Sequence, residues 1–349
     1  ASSSEALKAA NRVSAHTIET DISKLRDDLI KAYKNMRCVQ VSPIFEKMRC
    51  SIDNIYVDVV IAKKQDSRST VESKYVSTQC QDAQSSSSKV FKVTSYKQIF
   101  QDERGSNFKR VYLRGEGGFG KTTFCRKILH AWCSAHEGRA VAQDGLFQDE
   151  AIFKIFDLLF YINLREVSVD QKTLIAVIYA QFPLEEVPSK DLLETLLKLN
   201  GDKILFILDG LDEMVVNAGI IEKILTRRFY PNCCFLISSR PWKLFQMELH
   251  DETEIDLLLD LEGFSPENAL KCAKKIFENC YKDGNVIKQF EMDLACNKLA
   301  TQLIHVPLLL LFLAHVWYEN ERSLPSKLHQ LYILFPNLMA DRLKEKYKV

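Results

Sequence analysis

The sequence carries no excess of charge of either sign: Lys and Arg total 47 against 46 Asp and Glu in 349 residues, a formal net charge of +1. That excludes a bulk electrostatic footprint for nucleic acid or an anionic membrane, though it leaves room for a local basic groove. Long hydrophobic runs are also missing. The longest, Val306 to Trp317, is too short to span a bilayer and contains His315, so it reads as a buried helix and no membrane partner is expected. The ten cysteines include no C-x-x-C pair, and Cys125 and Cys233-Cys234 fall in apolar patterned stretches. Buried free thiols in a reducing compartment fit better than a disulfide framework, so a cytoplasmic location is expected. There is no basic-then-apolar leader and no initiating Met, so no secretory signal is expected and the chain reads as a fragment. No fixed-period repeat is visible.

Residues 115–123, Gly-Glu-Gly-Gly-Phe-Gly-Lys-Thr-Thr, organise what is present. From Gly115 to Thr122 they fit G-x-x-x-x-G-K-S/T, directly after the β-like run Arg110 to Leu113. Phe124, Ile128 and Trp132 follow at intervals of four, which predicts a helix. Strand, glycine loop and helix are the context a phosphate-binding loop requires. Gly115, Gly117, Gly118 and Gly120, with Glu116 and Phe119 between them, let backbone N–H groups turn inward around phosphate oxygens at a positive helix end. Lys121 reaches the β- and γ-phosphates in such a loop, the Thr122 hydroxyl ligates Mg²⁺, and Thr123 is placed to donate to the α-phosphate. The sequence therefore predicts a nucleoside-triphosphate site.

The rest of the chain supplies a matching framework. Leu7, Ile18, Ile22, Leu25, Leu29 and Ile30 predict a helix within residues 5–35, either partner-binding or packed on the domain, with its thin apolar face favouring the second. Ile55 to Ile61 alternates and is β-branched, predicting a strand, and a Ser/Gln-rich loop follows from Lys63 to Lys89. Beyond the loop helix, β-like runs at Phe156–Leu164, Lys203–Leu208, Cys233–Ser238 and Thr253–Leu259 are separated by helical patterns at Lys172–Phe182, Asp191–Leu199 and Ile220–Arg228. That alternation predicts an α/β fold, a parallel sheet covered by helices on both faces. Ile204 to Leu208 is continuously apolar, as a central parallel strand should be. After Gly263 the pattern is helical, with helices over 266–280, 285–303 and 307–320 and another from about 325.

The central run ends in Asp209-Gly210-Leu211-Asp212-Glu213. An apolar strand ending in Asp downstream of a phosphate-binding loop is the Walker B arrangement, with Asp209 holding Mg²⁺ opposite Thr122. Asp212 and Glu213 are both candidates to orient and deprotonate the attacking water, with Glu213 slightly favoured. Ser238 leads into Ser239-Arg240-Pro241, where Arg240 is either a γ-phosphate sensor or a surface arginine. The guanine-reading N-K-x-D signature is missing, since Asn297-Lys298-Leu299-Ala300 lacks its Asp, so adenine is the expected base. The seven histidines form no ligand set; His305 and His315 lie in apolar helical surroundings and read as core histidines. No metal site beyond nucleotide-bound Mg²⁺ is indicated.

The sequence resembles the NACHT family of P-loop ATPases, the central module of NOD-like receptors. The match lies in GEGGFGKTT (115–123), ILFILDGLDE (204–213), FLISSRP (235–241), LEGFSPENA (261–269) and VPLLLLFLAHVW (306–317), and the Tyr56-Val57 segment looks like one found upstream of many NACHT domains. The resemblance implies a sheet order that puts the Cys233–Ser238 strand between those of the loop and Asp209, bringing Arg240 to the γ-phosphate. It implies that Pro307 packs against adenine. It further implies an ADP-held closed state, with exchange for ATP permitting self-association through the nucleotide-binding domain in cytosolic innate-immune or cell-death signalling. Effector and sensor modules would be partners outside this fragment. The winged-helix histidine that contacts ADP in the family is not among these residues, which implies nucleotide binding without autoinhibition. The cysteine-rich style suggests an invertebrate member.

The domains expected are a helical segment and strand (1–62), the Ser/Gln-rich loop (63–89), the nucleotide-binding domain (90–262), a small helical domain (263–324) and the start of a winged-helix domain (325–349). The expected function is a slow, Mg²⁺-dependent ATPase acting as an ADP/ATP switch. The alternatives are a fast-cycling remodelling ATPase, a P-loop phosphotransferase, or a nucleotide-bound scaffold that does not hydrolyse.

Overall fold

The computed structural model describes residues 19–40, 49–64, 90–139, 145, 147–182, 189–214, 219–246, 255–325 and scattered positions to 340. Most of the expected Ser/Gln-rich loop and of the winged-helix start lies outside the described residues.

The sheet is built outward from β7 (Ile204–Asp209), buried along its whole length as its unbroken apolar run predicts. Phe160, Phe206 and Phe235 stack across three neighbouring strands, with ring centroids 5.2 and 4.9 Å apart. β6 (Leu158–Asn163) lies parallel to β7 on one side and β8 (Cys234–Ser239) on the other. β5 (Arg110–Arg114) and β9 (Leu257–Gly263) continue the parallel core. The α/β expectation therefore holds, and β8 stands between β5 and β7. Beyond β9 the sheet turns antiparallel through β3 (Val60–Lys64) and β4 (Val90–Lys92), completing the order β4-β3-β9-β5-β8-β7-β6. A separate antiparallel pair joins β1 (Cys38–Gln40) to β2 (Arg49–Ser51).

Twelve helices can be followed among the described residues. They are α1 (19–32), α2 (Ile52–Ile55), α3 (Lys97–Phe100), α4 (Lys121–Glu137), α5 (Leu174–Gln181), α6 (Lys190–Leu199), α7 (Gly219–Leu225), α8 (Pro241–Gln246), α9 (Pro266–Ile276), α10 (Ile287–Cys296), α11 (Lys298–Leu303) and α12 (Pro307–Glu319). α4 buries Phe124, Ile128 and Trp132, the face its spacing predicts, and Gly138 ends it in the left-handed region. α9 opens on Ser265, whose side chain accepts the Asn268 N–H, with Pro266 in the first turn. No helix among the described residues is long and apolar enough to cross a membrane.

Three elements depart from the sequence pattern, two because of partners distant in the chain and one because of a local cap. The strand expected at Ile55–Ile61 is a helical turn, an extended link and only then β3. Lys275 Nζ donates to the Tyr56 carbonyl and Asn268 Nδ2 to that of Asp58, so the link bonds to α9, and the ladder with β9 begins only at Val60. Of the run expected at Thr253–Leu259, residues 253 and 254 lie outside the described residues, and the strand begins only at Leu257 and runs on to Gly263. Asp256 Oδ2 accepts the Lys109 and Arg110 N–H groups at 2.7 and 2.9 Å, which fixes the entry to β9, and Leu257, Leu259 and Leu261 bury alternately after it. The helix expected over 285–303 breaks at Asn297, whose Oδ1 caps α11 through the Ala300 N–H at 3.0 Å.

The upstream helix packs on the domain through Ile22, Leu25 and Leu29, which bury in line with Tyr33 of the 3-10 turn Tyr33–Arg37. β6 is an edge strand, and the Tyr33 hydroxyl donates to the Leu159 carbonyl at 2.8 Å and accepts the Tyr161 N–H at 3.0 Å. One side chain thus satisfies two backbone groups that a further strand would have paired.

Candidate nucleotide site

β5, β7 and β8 end side by side, and the three candidate segments begin at those ends: the glycine loop after β5, Asp209 to Glu213 at β7, and Arg240 after β8. The carboxyl edge of a parallel α/β sheet is where ligands bind, because the helix N-termini and loops converge there.

Gly118 and Gly120 hold φ of 80° and 95°, the left-handed region that other residues enter only with strain. A Cβ on Gly117 would stand 3.5 Å from the Arg240 guanidinium carbon, and one on Gly118 3.0 Å from Leu308 Cβ. The loop is therefore a cradle that larger residues would fill. Lys121 Nζ spans it, donating to the carbonyls of Gly115 at 2.7 Å and Glu116 at 3.1 Å. Burial lowers the Lys121 pKa and Arg240 adds to that, against the opposing carboxylates of Asp212, Asp209 and Glu116. Thr122 and Thr123 are exposed at the start of α4.

Asp209 is buried at the end of β7, with both oxygens engaged. Tyr161 OH donates to Oδ2 at 2.6 Å and Ser238 Oγ to Oδ1 at 2.5 Å, while Ser238 Oγ accepts the Gly210 N–H at 2.9 Å. Burial, then the Asp209 charge, raise the Tyr161 phenol well above its ordinary pKa, so it remains a donor. Thr122, Asp209 and Glu213 line one cavity of about 360 Å³.

Asp212 goes elsewhere. Its Oδ2 lies 3.0 Å from Arg240 Nε, its Oδ1 accepts the Arg240 N–H at 3.1 Å, and its side chain is 5% exposed. Glu213 is exposed and faces the cavity. The Arg240 contact of Asp212 thus separates two acids nearly equivalent in sequence.

Pro307 meets the loop from the helical side. At the position of a Cβ on Gly120, Val59 Cγ1 would be 3.8 Å away and Pro307 Cγ 3.9 Å. The Leu308 N–H donates to the Gly118 carbonyl at 3.2 Å, and the Phe264 N–H to the His305 carbonyl at 2.7 Å. His305 is exposed, contrary to the core role its surroundings predict: the helix ends at Leu303, and the turn that follows sets its ring edge-on to Phe119 at 6.2 Å. His315 is buried as expected, with Nδ1 2.5 Å from Tyr281 OH. Sequence reasoning missed Val59, Tyr161 and Ser238. Tyr161 was hidden in an apolar run, whereas Ser238 carried a signal as a polar residue ending an apolar strand beside a second one.

The donor set suits a magnesium-bound nucleotide. Positive-φ glycines, a spanning lysine and exposed threonine hydroxyls fit a phosphate chain, and a buried carboxylate sharing a cavity with Thr122 fits a hard cation that keeps its waters. Sheet order, loop and acidic strand end together define a P-loop NTPase fold, a nucleotide-binding architecture. Within that class, residues 109–280 match the family model described as the NACHT domain, and the chain carries a NACHT domain. It is 25% identical over 205 residues to human NACHT, LRR and PYD domains-containing protein 12, covering 53% of this chain and 17% of that protein. Mouse NACHT, LRR and PYD domains-containing protein 10 is 29% identical over 185 residues, covering 51% of this chain and 23% of that one. The chain thus spans only a minor part of these relatives. Both are mammalian and lend no support to an invertebrate origin. Among solved structures, the C. elegans PCH-2 chain is 14% identical with a TM-score of 0.35, covering 71% of this chain and 64% of that one.

Proposed function

We propose that the chain is an adenine-nucleotide switch with slow, Mg²⁺-dependent hydrolysis. The observation that carries this is the placement of Thr122, Asp209 and Glu213 on one cavity beside the glycine cradle, with Arg240 held over the loop by Asp212. Gly115 to Gly120 and Thr123 hold the phosphates, and Lys121 contacts the β- and γ-phosphates once it leaves the loop carbonyls. Thr122 and Asp209 hold Mg²⁺, which neutralises phosphate charge when bound. Glu213 accepts the proton of the attacking water at its carboxylate, since Asp212 is committed as counter-ion to Arg240. Arg240 reads the γ-phosphate, and Pro307 packs on the base with Val59 nearby. The NACHT match supports self-association through the nucleotide-binding domain in cytosolic signalling, with effector and sensor modules as further partners.

Nucleotide content of the purified protein, single-turnover and steady-state ATP hydrolysis, and size analysis in each state test this reading. Retained adenine nucleotide, slow turnover and ATP-dependent assembly are expected. Fast multiple turnover without change in assembly would favour a remodelling ATPase or phosphotransferase, and binding without hydrolysis a scaffold. Lys121→Ala is expected to abolish nucleotide binding; normal ATP affinity in that variant would overturn the site.

A further inference from the structure

The carboxylate assigned to the metal is not oriented by its own loop. Both Asp209 oxygens are held by hydroxyls from the two flanking strands, Tyr161 on β6 at 2.6 Å and Ser238 on β8 at 2.5 Å. Tyr161 pairs in register with Ile207, and residues 207 and 209 share a face of β7, so the long phenol side chain reaches Asp209 diagonally. Tyr161 is 5% exposed and lines the cavity that Thr122, Asp209 and Glu213 share.

The backbone of Tyr161 is fixed from outside the sheet. Tyr33 accepts its N–H at 3.0 Å and donates to the Leu159 carbonyl at 2.8 Å, gripping the edge strand on either side of residue 160. The Tyr33 ring is itself set edge-on to Trp132 of α4 at 6.4 Å and to Phe182 at 5.8 Å. A continuous series of contacts therefore runs from the upstream helix through Tyr33 and Tyr161 to Asp209.

We propose that Tyr161 is a positioning residue for Asp209 that sets the affinity of the site for a divalent cation bound to nucleotide, and that Tyr33 keeps Tyr161 in place. The proposal rests on the reading of Asp209 and Thr122 as the metal-holding pair. A hydroxyl donated to a carboxylate oxygen is a charge-assisted bond that fixes the orientation of the group, and such supporting partners set metal affinity even though they never touch the ion. Tyr161→Phe keeps the ring and its packing and removes only that bond.

The experiment is isothermal titration with ADP, with and without magnesium chloride, of the parent chain and of Tyr161→Phe, Tyr33→Phe and Thr122→Ala. The quantity read is the ratio of the two affinities. Tyr161→Phe is expected to bind ADP without magnesium as the parent does and to lose about tenfold of the magnesium-dependent gain. Tyr33→Phe is expected to lose a smaller part of the same gain. An equal loss with and without magnesium in Tyr161→Phe, or a fully retained gain, overturns the role of Tyr161, and an unchanged Tyr33→Phe overturns that of Tyr33. If Thr122→Ala loses the gain and Tyr161→Phe does not, only this inference fails. If the parent shows no gain, or Thr122→Ala keeps it, the metal assignment itself fails and takes the inference with it.

Discussion

Gly263 is the place where one added methyl group should do the most damage. It ends β9 at φ 88°, and a Cβ built there would lie 2.2 Å from the His305 carbonyl oxygen. That oxygen belongs to backbone and accepts the Phe264 N–H at 2.7 Å, so it cannot swing aside as a side chain would. Gly263→Ala then carries left-handed strain of about 1–2 kcal/mol. Displacing His305 costs about 1 kcal/mol more through the lost hydrogen bond. The sum, roughly 2–3 kcal/mol, corresponds to a fall in melting temperature on the order of 3–5 °C for a chain of this size. The displacement also pulls the 305–308 turn off the glycine loop, so the Leu308 N–H should lose its bond to the Gly118 carbonyl. Thermal unfolding by circular dichroism, with hydrogen exchange read at Leu308, measures both effects. A variant that melts within about 1 °C of the parent, with Leu308 still protected, would refute the reasoning.

Three further perturbations separate roles within the site and the sheet. Glu213→Gln should leave nucleotide affinity intact and prolong the ATP-bound state; unchanged single-turnover hydrolysis would move the base role elsewhere. Asp212→Asn removes the charge that holds Arg240, so ATP-over-ADP preference should change while ADP affinity stays near that of the parent, and a preference identical to the parent would disprove that coupling. Burial pushes the Asp256 carboxyl up, but Arg227 and the N–H groups of Arg110 and Lys109 together hold it below the usual carboxylate range. A folded pKa below the unfolded one stabilises the fold above the unfolded pKa, and that contribution is lost as pH falls through the folded value. Asp256→Ala should therefore cost about 2 kcal/mol near pH 7 in urea unfolding, with the gap narrowing once the pH drops below about 4. A gap that does not change with pH would show that the charge contributes nothing.

What could be read from the sequence was whatever depends on local pattern. The β7 run and the loop after β5 keep their positions because each is specified by its own residues: five apolar side chains in one case, glycines and a lysine at fixed spacing in the other. What escaped depends on partners distant in the chain. Ile55 to Val59 alternates like a strand, but its backbone bonds to α9, more than two hundred residues away. Arg110 looked like the polar start of an apolar run; it is fully buried and donates to the carbonyls of Ile224, Lys109 and Cys233. Its guanidinium lies 4.3 Å from the Phe235 ring, and burial lowers its pKa to about 10. Asp212 and Glu213 are adjacent in sequence, and only the pairing of Asp212 with Arg240, against the open cavity at Glu213, distinguishes them.

The grip of Tyr33 on β6 bears on where the polypeptide can safely be cut. An edge strand with unpaired N–H and C=O groups is a template for intermolecular β-pairing. Here the α1 helix and the turn after it cover that template, with Arg26 adding bonds to Asp157 at 2.8 Å just before the strand. A recombinant version starting after residue 40 would keep every residue assigned to nucleotide binding and still present a sticky ribbon to its neighbours. Its aggregation would then report a bare sheet edge and say nothing about the ATP-dependent assembly proposed above. Expression boundaries drawn at the start of the family match, near residue 109, carry that hazard in full, because they also remove β3 and β4 from the opposite side of the sheet.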